Sequence, residues 1–283
     1  MLDIITKPMG DLLYFIYNNL AFKSYGVAII IFTIIIRVIL LPLMIKQYKS
    51  MAAMQALSPK IEEIKKRYGN DKEKLNVEMM NIYKEQNVNP AAGCLPLLIQ
   101  FPILIGLWQV ISKPLTYMLD LKDKIAPLEK ALNVSVKSNG GYPEIDIINK
   151  FDIEKVGNIL SGDLTTAVSQ MKDGFNFLGI NLGQIPNMAF KDFSSYFVLL
   201  LIPLIAVVTT YISSKMSTPK TSQNAENPMT KSMLFIAPVM TLIFSFNFPA
   251  GMGVYWITGN IFMIFQQLFI NKIILNKKEV KVN

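Results

Sequence analysis

Five long segments with almost no charge dominate this chain of 283 residues. The segments are residues 25–45, 91–112, 193–214, 232–248 and 251–270. Each residue of an α-helix adds about 1.5 Å of length, so about 20 apolar residues cross the hydrocarbon core of a bilayer. The pattern therefore predicts an all-α integral membrane protein with five transmembrane helices. Only two residues separate the last two segments, which predicts a tight helical hairpin at that point.

The charges outside these segments predict how the chain is oriented. Positive charge is in excess in residues 46–90 (net +3), 215–231 (net +2) and 271–283 (net +3), whereas residues 113–192 carry a net charge of −1. Lys and Arg collect on the cytoplasmic side of membrane proteins. The first three stretches are therefore predicted to be a cytoplasmic helical hairpin, a cytoplasmic loop and a basic cytoplasmic tail. Residues 113–192 then form an extracellular loop, with the N-terminus outside and the C-terminus inside.

Residues 1–24 are predicted to form an external amphipathic helix at the membrane interface. The predicted apolar face consists of Ile5, Met9, Leu12, Leu13, Ile16 and Leu20. Proline suits the first turn of a helix, so this helix is predicted to begin near Pro8. The alternative is a cleavable signal peptide, for which the stretch lacks a clear continuous apolar core and cleavage site.

Residues 46–90 contain signals for two short helices. Ser58 is predicted to cap a helix that ends near Tyr68, and Asp71 is predicted to cap a second helix that ends near Gln86. The facing apolar positions are Ile61, Ile64 and Tyr68 on the first helix, and Leu75, Met79 and Ile82 on the second. Two alternatives stay open: this hairpin docks a partner, or it is solvated and has none.

The long stretch 113–192 shows turn signals at residues 139–141 and 161–163. Residues 175–182 are predicted to include a short extended element. The rest of the stretch gives no strong sign of regular structure, which favours a loop.

The sequence lacks the groups that many membrane enzymes and transporters use. It has no histidine, a single cysteine (Cys94), and no Asp, Glu or Lys in any of the five segments. This excludes a serine–histidine pair, an intramembrane aspartyl dyad and a His/Cys zinc cluster. Proton-coupled transport would lack its usual buried relay. We therefore expect a protein that is not an enzyme and that uses no metal and no cofactor.

Arg37 is the one charged residue in the five segments, and it is the thirteenth residue of the first. An arginine near the bilayer centre costs roughly 3 kcal/mol on insertion scales. Snorkelling to the headgroups is one alternative, but Ile45 at the end of the segment is about 12 Å away by helical rise. A structural hydrogen bond to backbone carbonyls is a second alternative. The hypothesis we favour is a water-filled cavity in which Arg37 meets an acidic group of another molecule.

A set of short motifs accompanies this arginine. They are Phe32-Thr33, Leu41-Pro42, Gln47 to Met51, Ser58 to Lys60, Tyr83-Lys84, Asn89-Pro90, Gly93 to Val110, Lys215 to Ser217, Phe248 to Gly251, Tyr255-Trp256, Asn260 and Gln266-Gln267. Together with Arg37 they resemble the YidC/Oxa/Alb family of membrane protein insertases, in its Gram-positive bacterial form. The resemblance covers about residues 24–112 and 175–271.

The chain departs from the family pattern in several places. Ser214 stands where members often have glutamine, and residues 122–174 match no pattern of the family. The lipoprotein signal of many Gram-positive members is not seen, and the tail is short for strong binding to ribosomes. We expect residues 122–174 to be dispensable and residues 58–87 to be required.

The resemblance implies a function and a site. It implies a plasma-membrane insertase and chaperone that inserts and helps fold integral membrane proteins through a water-filled groove, where a central arginine transiently binds acidic substrate tails. The implied groove residues are Arg37, Thr33, Gln100, Trp256, Ser214 and Asn260. The implied contact residues of the cytoplasmic hairpin are Lys60, Lys65, Lys66, Arg67, Tyr83 and Lys84. The implied partners are newly made membrane proteins, the lipid bilayer, the ribosome, the signal-recognition-particle receptor and the Sec translocon, with no small-molecule ligand.

Two functions of other classes remain open from the residues alone. A small-solute channel or transporter would need a path open to both sides, and many carriers also show inverted repeats. A purely structural assembly scaffold would need no path at all. We see no repeats in the sequence, and solute flux compared with insertion of a test helix would separate the three functions.

Overall fold

The computed structural model describes residues 3–86, 88, 95–135, 138–190, 192–217, 228–270 and 272, and most of these residues are helical. The longer helices are α1 (Asp3–Asn19), α2 (Tyr25–Ala56), α3 (Ser58–Tyr68), α4 (Lys72–Glu85), α5 (Leu95–Ser112), α10 (Gly162–Gly174), α12 (Leu201–Ser217), α13 (Pro228–Asn247) and α14 (Ala250–Ile270). The short helices are α6 (Pro114–Tyr117), α7 (Ile125–Ala131), α8 (Pro143–Asn149), α9 (Ile153–Val156) and α11 (Phe193–Tyr196).

Three helical stretches are long and apolar enough to cross a membrane. They are Tyr25–Met54, Phe197–Ser217 and Ala250–Ile270, and two shorter apolar helices cover Gln100–Ser112 and Leu234–Asn247. Helix α14 packs against both α2 and α12, and α12 also packs against α13. The predicted class, a helical membrane protein, is confirmed, and each of the five apolar segments contains a helix.

The boundaries of these helices differ from the predicted ones. Helix α2 does not end at residue 45 but continues to Ala56, because Lys, Gln, Met and Ala are good helix formers and residues 46–56 contain no glycine or proline. In the third segment a 3-10 turn (Phe197–Leu200) precedes the regular α-helix. Pro203 explains this irregular start, since proline disturbs the helical turn that precedes it. The first four residues of the second segment, including Cys94, lie outside the described residues.

Helix α1 begins five residues before Pro8, so the predicted start was wrong. Its packing against α5 outweighs the hydrogen bond that proline cannot donate. Met9, Leu13 and Ile16 are buried as the predicted apolar face required, whereas Ile5 and Leu20 are exposed. The helix is therefore amphipathic, but its apolar face packs against protein as well as leaving apolar side chains on the surface.

Helices α3 and α4 pack against each other and form the predicted hairpin, which we call the α3–α4 hairpin. Asp71 caps α4, since its carboxylate accepts a hydrogen bond from the Lys74 backbone N–H at 3.0 Å. The predicted cap of α3 was wrong: Leu57 occupies the N-cap position, Ser58 is the first helical residue, and no side chain caps this end. Pro59 fits the second position because its missing N–H has no intrahelical partner there.

Residues 113–192, which we call the cap, are folded and are not a loop. Helices α6 to α10 lie within it, and the fully buried side chains include Leu128, Ile145, Ile147, Ile148, Val168, Met171 and Phe175. These residues belong to the same hydrophobic core as residues of α1 and of the N-terminal part of α2. The expectation that residues 122–174 are dispensable conflicts with this burial, because removing them would expose the core. Single-sequence patterns missed the cap because its helices are short and weakly periodic.

A two-stranded antiparallel hairpin lies at residues 176–181, inside the predicted extended element. Strands β1 (Asn176–Phe177) and β2 (Ile180–Asn181) pair through Asn176 with Asn181 and Phe177 with Ile180. The chain after β2 reaches the start of α14, where the Gln184 carbonyl accepts from Ala250 N at 2.8 Å. The β-hairpin is thus held against the N-terminal end of α14.

Candidate functional site around Arg37

Arg37 lies on α2 against the backbone of α14. A Cβ atom at Gly259 would be 2.8 Å from the Nη2 atom of Arg37, so the guanidinium lies directly against this glycine and would have to shift for any larger residue. Eight residues earlier on both helices, Ile29 lies beside Gly251. The two helices therefore run parallel in a constant register, and this packing fixes where the arginine lies.

The charge of Arg37 has no acidic partner among the residues that the structure describes. Every ion pair found there involves lysine, and each lies outside the apolar helices. The Arg37 residue is half-buried. A cation that is shielded from solvent without a counter-ion is costly unless water or a ligand solvates it. The arrangement can therefore attract an anionic group from another molecule.

A hydrogen bond between Gln100 and Tyr255 joins α5 to α14. The Gln100 amide donates to the Tyr255 hydroxyl at 2.6 Å, and both residues are largely shielded from solvent. Tyr255 lies one helical turn before Gly259, so it is on the Arg37 side of α14. The structure thus brings the predicted Gln100 close to Arg37, through a tyrosine that the prediction did not include.

Asn260 is the centre of a polar cluster between α12 and α14. Its amide donates to Thr210 Oγ1 at 2.8 Å and to Thr209 Oγ1 at 3.2 Å, and its carbonyl oxygen accepts from the Ser213 hydroxyl at 3.4 Å. The Thr210 hydroxyl also reaches Thr241 on α13 at 3.3 Å. Such hydrogen bonds hold transmembrane helices together. The cluster therefore has a structural role in joining three helices.

Ser214, Thr33 and Trp256 occupy other places around this site. Ser214 follows Ser213 in sequence and is half-buried. Thr33 is fully buried and its hydroxyl donates to the Ile29 carbonyl of its own helix at 2.6 Å, which places it in packed interior and not on an open surface. Trp256 lies in an aromatic cluster with Phe244 and Phe248, at centroid distances of 6.2 Å and 6.1 Å.

The helices around Arg37 leave an opening on one side. Helix α5 packs mainly against α1 and helix α13 mainly against α12, and over the described residues α5 and α13 hardly touch. Near one end the gap is bridged by Trp108 and Phe248, whose rings are 6.0 Å apart. Gln100 lies on α5, and Tyr255 and Trp256 lie on α14, which contacts both α5 and α13.

The predicted contact residues of the α3–α4 hairpin are on its surface. Lys60, Lys65, Lys66, Arg67 and Lys84 are exposed and Tyr83 is half-buried. The six apolar residues that were predicted to face each other across the two helices are all half-buried. Neither helix has a fully buried residue. The hairpin thus displays its basic side chains to any partner.

Three apolar helices long enough to cross a membrane, packed together with two shorter apolar helices, define a class: polytopic helical membrane proteins. Residues 15–278 match the family model described as 60Kd inner membrane protein. The chain belongs to this family, which is the YidC family expected from the motifs, and it is a protein of the bacterial plasma membrane.

Curated relatives are similar over most of this chain. A membrane protein insertase YidC from Caldanaerobacter subterraneus is 36% identical over 93% of this chain and 92% of its own length. Membrane protein insertase YidC 1 from Listeria monocytogenes is 34% identical over 93% of this chain and 69% of its own length. Membrane protein insertase MisCA from Bacillus subtilis is 32% identical over 94% of this chain and 77% of its own length.

Two important neighbours of Arg37 were missed at the sequence level. Gly259 carried a signal, since a small residue within an apolar helix often marks a close approach of another group. Tyr255 lay within a quoted motif, but only its neighbour Trp256 was chosen. Ser213, and not the predicted Ser214, donates to Asn260. No local sequence signal distinguishes the two serines, because they differ only in the helix face that they occupy.

Proposed function

We propose that this chain is a membrane protein insertase and chaperone, and that Arg37 acts on substrates inside a water-filled groove. We also propose that five helices span the membrane with the N-terminus outside, and that the cap lies outside and the α3–α4 hairpin inside. The names of the relatives, the half-buried Arg37 and the gap between α5 and α13 support this proposal.

The observation that carries the proposal is the cation of Arg37 without a carboxylate partner in the described residues. Two charges 4 Å apart attract by about 1 kcal/mol in water and about 4 kcal/mol near a protein surface. An acidic substrate tail would bind with an energy in this range, which allows binding and rapid release. A dry, fully paired arginine would hold its partner too firmly for transfer.

We propose a path for the substrate that is compatible with this geometry. The polar tail enters the groove from the cytoplasm, where Arg37 draws in its acidic residues. The apolar segment passes through the gap between α5 and α13 into the lipid. Transfer of apolar surface from water into the bilayer provides the driving force, so no nucleotide or cofactor is needed. The protein lowers the barrier for the polar tail and is not an enzyme.

The proposed partners are newly made membrane proteins and the lipid bilayer. The exposed basic residues of the α3–α4 hairpin support a further role, which is contact with the ribosome, the signal-recognition-particle receptor or the Sec translocon. These surfaces are separate from Arg37, so delivery of a substrate and its insertion can be tested independently.

The decisive experiment substitutes Arg37 and measures insertion into liposomes. For a single-span substrate with an acidic translocated tail, Arg37→Ala should slow insertion by at least about fivefold, corresponding to the loss of about 1 kcal/mol. Arg37→Lys should retain partial activity because it keeps a cation but loses the planar, forked donors. Arg37→Glu should be the most damaging because it repels the tail.

The matched control is the same substrate with its acidic tail residues replaced by Asn and Gln. This substrate should depend less on Arg37, and restoring the acids should restore the dependence. Protease resistance and protein level would be measured for each variant to separate folding from function. Equal insertion of both substrates by a folded Arg37→Ala variant would disprove the role of the charge.

A further inference from the structure

An apolar groove lies along α14. Its floor is α14 and its walls are α2 and α12, the three stretches long enough to cross the membrane. The β-hairpin covers one end. The lining residues that carry the argument are Ile30 and Ile34 on α2, Ile205 on α12, Ile261 and Phe265 on α14, and Leu178 of the β-hairpin.

The groove offers nothing that could bind a polar ligand. Thr258 is the one hydroxyl residue of its lining, and this hydroxyl donates to the Val254 carbonyl at 2.8 Å. The other lining residues have hydrocarbon side chains, and Ile34, Ile205 and Ile261 are 41%, 44% and 42% exposed. An occupant must therefore be a hydrocarbon, and this surface continues the apolar face of the spans.

The position of the groove favours an acyl chain as its occupant. The volume is about 610 Å³. Between Val254 and Phe265 the groove is about 16 Å long by helical rise, and its three helices are long and apolar enough to cross a membrane. An acyl chain runs along the membrane normal, as the groove does.

The β-hairpin that covers the groove is unusual in its turn. Leu178 and Gly179 both have positive φ, 53° and 80°, which is the pattern of a two-residue turn that favours Asn-Gly. A leucine is strained at this position, and its side chain is 85% exposed. The strand residue beside it, Phe177, packs on α2 where a Cβ at Gly26 would clash with its ring. The hairpin is thus fixed in place while the Leu178 side chain, at the rim of the groove, is left largely exposed.

We propose that this groove is a seat for an acyl chain of a membrane phospholipid, and that Leu178 inserts beside it into the same leaflet. The leaflet is the one at the N-terminal ends of α2 and α14, which is the outer leaflet in the proposed topology. A lipid held here would fix the depth of the β-hairpin, and through it the cap, in the membrane. This inference requires only a membrane location and does not depend on the role of Arg37.

Crosslinking from position 205 identifies the occupant. A photoreactive benzoyl-phenylalanine would replace Ile205 in the full chain, and bacterial membranes would be irradiated before purification and intact mass measurement. We expect an added mass equal to one phospholipid. The control carries the same group at Ile153, which is 56% exposed on the cap but does not line the groove, and should give none. Adducts only with a second copy of the chain or another protein, or no adduct, would overturn the proposal.

A spin label at position 178 tests the insertion of the β-hairpin without a bulky substitution in the groove. Leu178→Cys and the control Ile153→Cys would be labelled in a Cys94→Ser background and reconstituted in phospholipid vesicles. The measured quantity is the ratio of the label's collision rate with oxygen to its collision rate with a water-soluble nickel complex. This ratio should be several-fold higher at position 178 than at position 153. Equal ratios at the two positions would place Leu178 in water and reject the proposal.

Leu178→Asn provides the folding control. Asn is favoured at this turn position, so the β-hairpin should keep its structure. The yield of phospholipid adduct at 205 should nevertheless fall several-fold, because the inserted side chain is lost. An unchanged yield in this variant would show that Leu178 does not help to hold the lipid.

Discussion

The cap and the α3–α4 hairpin both lie outside the apolar spans, but they differ in what holds them together. The cap has a core of fully buried side chains that is continuous with the ends of α1 and α2. The α3–α4 hairpin has no fully buried residue and relies on half-buried contacts between two helices and on the Asp71 cap. The cap therefore stabilises the fold, whereas the hairpin is free to present a surface.

This difference argues against the expectation that residues 122–174 can be lost, and it leaves the expected requirement for residues 58–87 as a prediction. The capping residues and apolar positions of the hairpin predicted ordered helices, whereas the weak periodicity of residues 113–192 predicted a loop. Burial decides stability, because each fully buried aliphatic side chain contributes about 1.5 to 3 kcal/mol. The following predictions test the contrast, beginning with the largest effect on stability.

The largest effect should come from the core of the cap. Ile148 is fully buried, and Ile148→Ala should lower the free energy of unfolding by about 3 kcal/mol through lost transfer energy and a cavity. Ile153→Ala on the exposed neighbouring helix should change it by less than about 0.5 kcal/mol. Thermal unfolding of the protein in nanodiscs would measure both, and similar losses would contradict the assignment of the core.

A smaller effect is expected from Asp71, the N-cap residue of helix α4. Asp71→Ala removes the acceptor for the Lys74 N–H and should destabilise α4 by about 1 kcal/mol. Asp71→Asn keeps an acceptor and should have little effect. Hydrogen exchange of α4 amides would show faster exchange in the alanine variant, with no change in the cap. A loss of protection in the cap would mean that the two regions are coupled.

Glu144 should make the stability of the cap depend on pH. Its carboxylate accepts from the Thr116 backbone N–H at 2.9 Å and from the Thr116 hydroxyl at 2.6 Å. Burial raises its pKa above 4.5, and the Thr116 bonds and the Lys113 charge oppose this shift only in part. At pH values between the ordinary pKa of a glutamate and the raised pKa of Glu144, this carboxyl is more fully protonated in the folded state than in the unfolded state. Stability is therefore fully present below the ordinary pKa and falls as the pH rises through the raised pKa.

Glu144→Gln tests this dependence. Glutamine offers an acceptor to the Thr116 N–H but does not titrate, so the difference in melting temperature between the two proteins should change with pH in the acidic range. We expect the wild-type protein to lose stability, relative to the variant, as the pH rises. A constant difference at all pH values would show that this carboxyl does not titrate differently on folding.

The smallest effect on stability is expected from the basic surface of the α3–α4 hairpin. Replacing Lys65, Lys66 and Arg67 together by Gln should change the free energy of unfolding by less than about 0.5 kcal/mol per site, because all three are exposed. If this surface binds a partner, insertion from translating ribosomes should fall and lose its salt dependence. Insertion of purified substrate into liposomes should be unchanged. Normal insertion from ribosomes would favour a solvated hairpin without a partner.

The sequence by itself determined the membrane class, the family and several local features of this protein. The length of the apolar segments, the capping residue Asp71 and the short extended element near residue 176 depend on neighbouring residues, so they can be recognised along one stretch of chain. The position of Arg37 within an apolar helix is equally local, since its cost arises wherever that helix lies in the bilayer.

Only the tertiary structure decided which residues meet. The contact of Arg37 with Gly259 and the bond of Gln100 to Tyr255 join residues more than 150 positions apart in sequence. The choice of Ser213 over Ser214 depends on the rotation of α12 against α14, and the core of the cap depends on several short helices packing at once. Such contacts follow from the relative placement of helices, because helix periodicity defines a face but not the partner that the face meets.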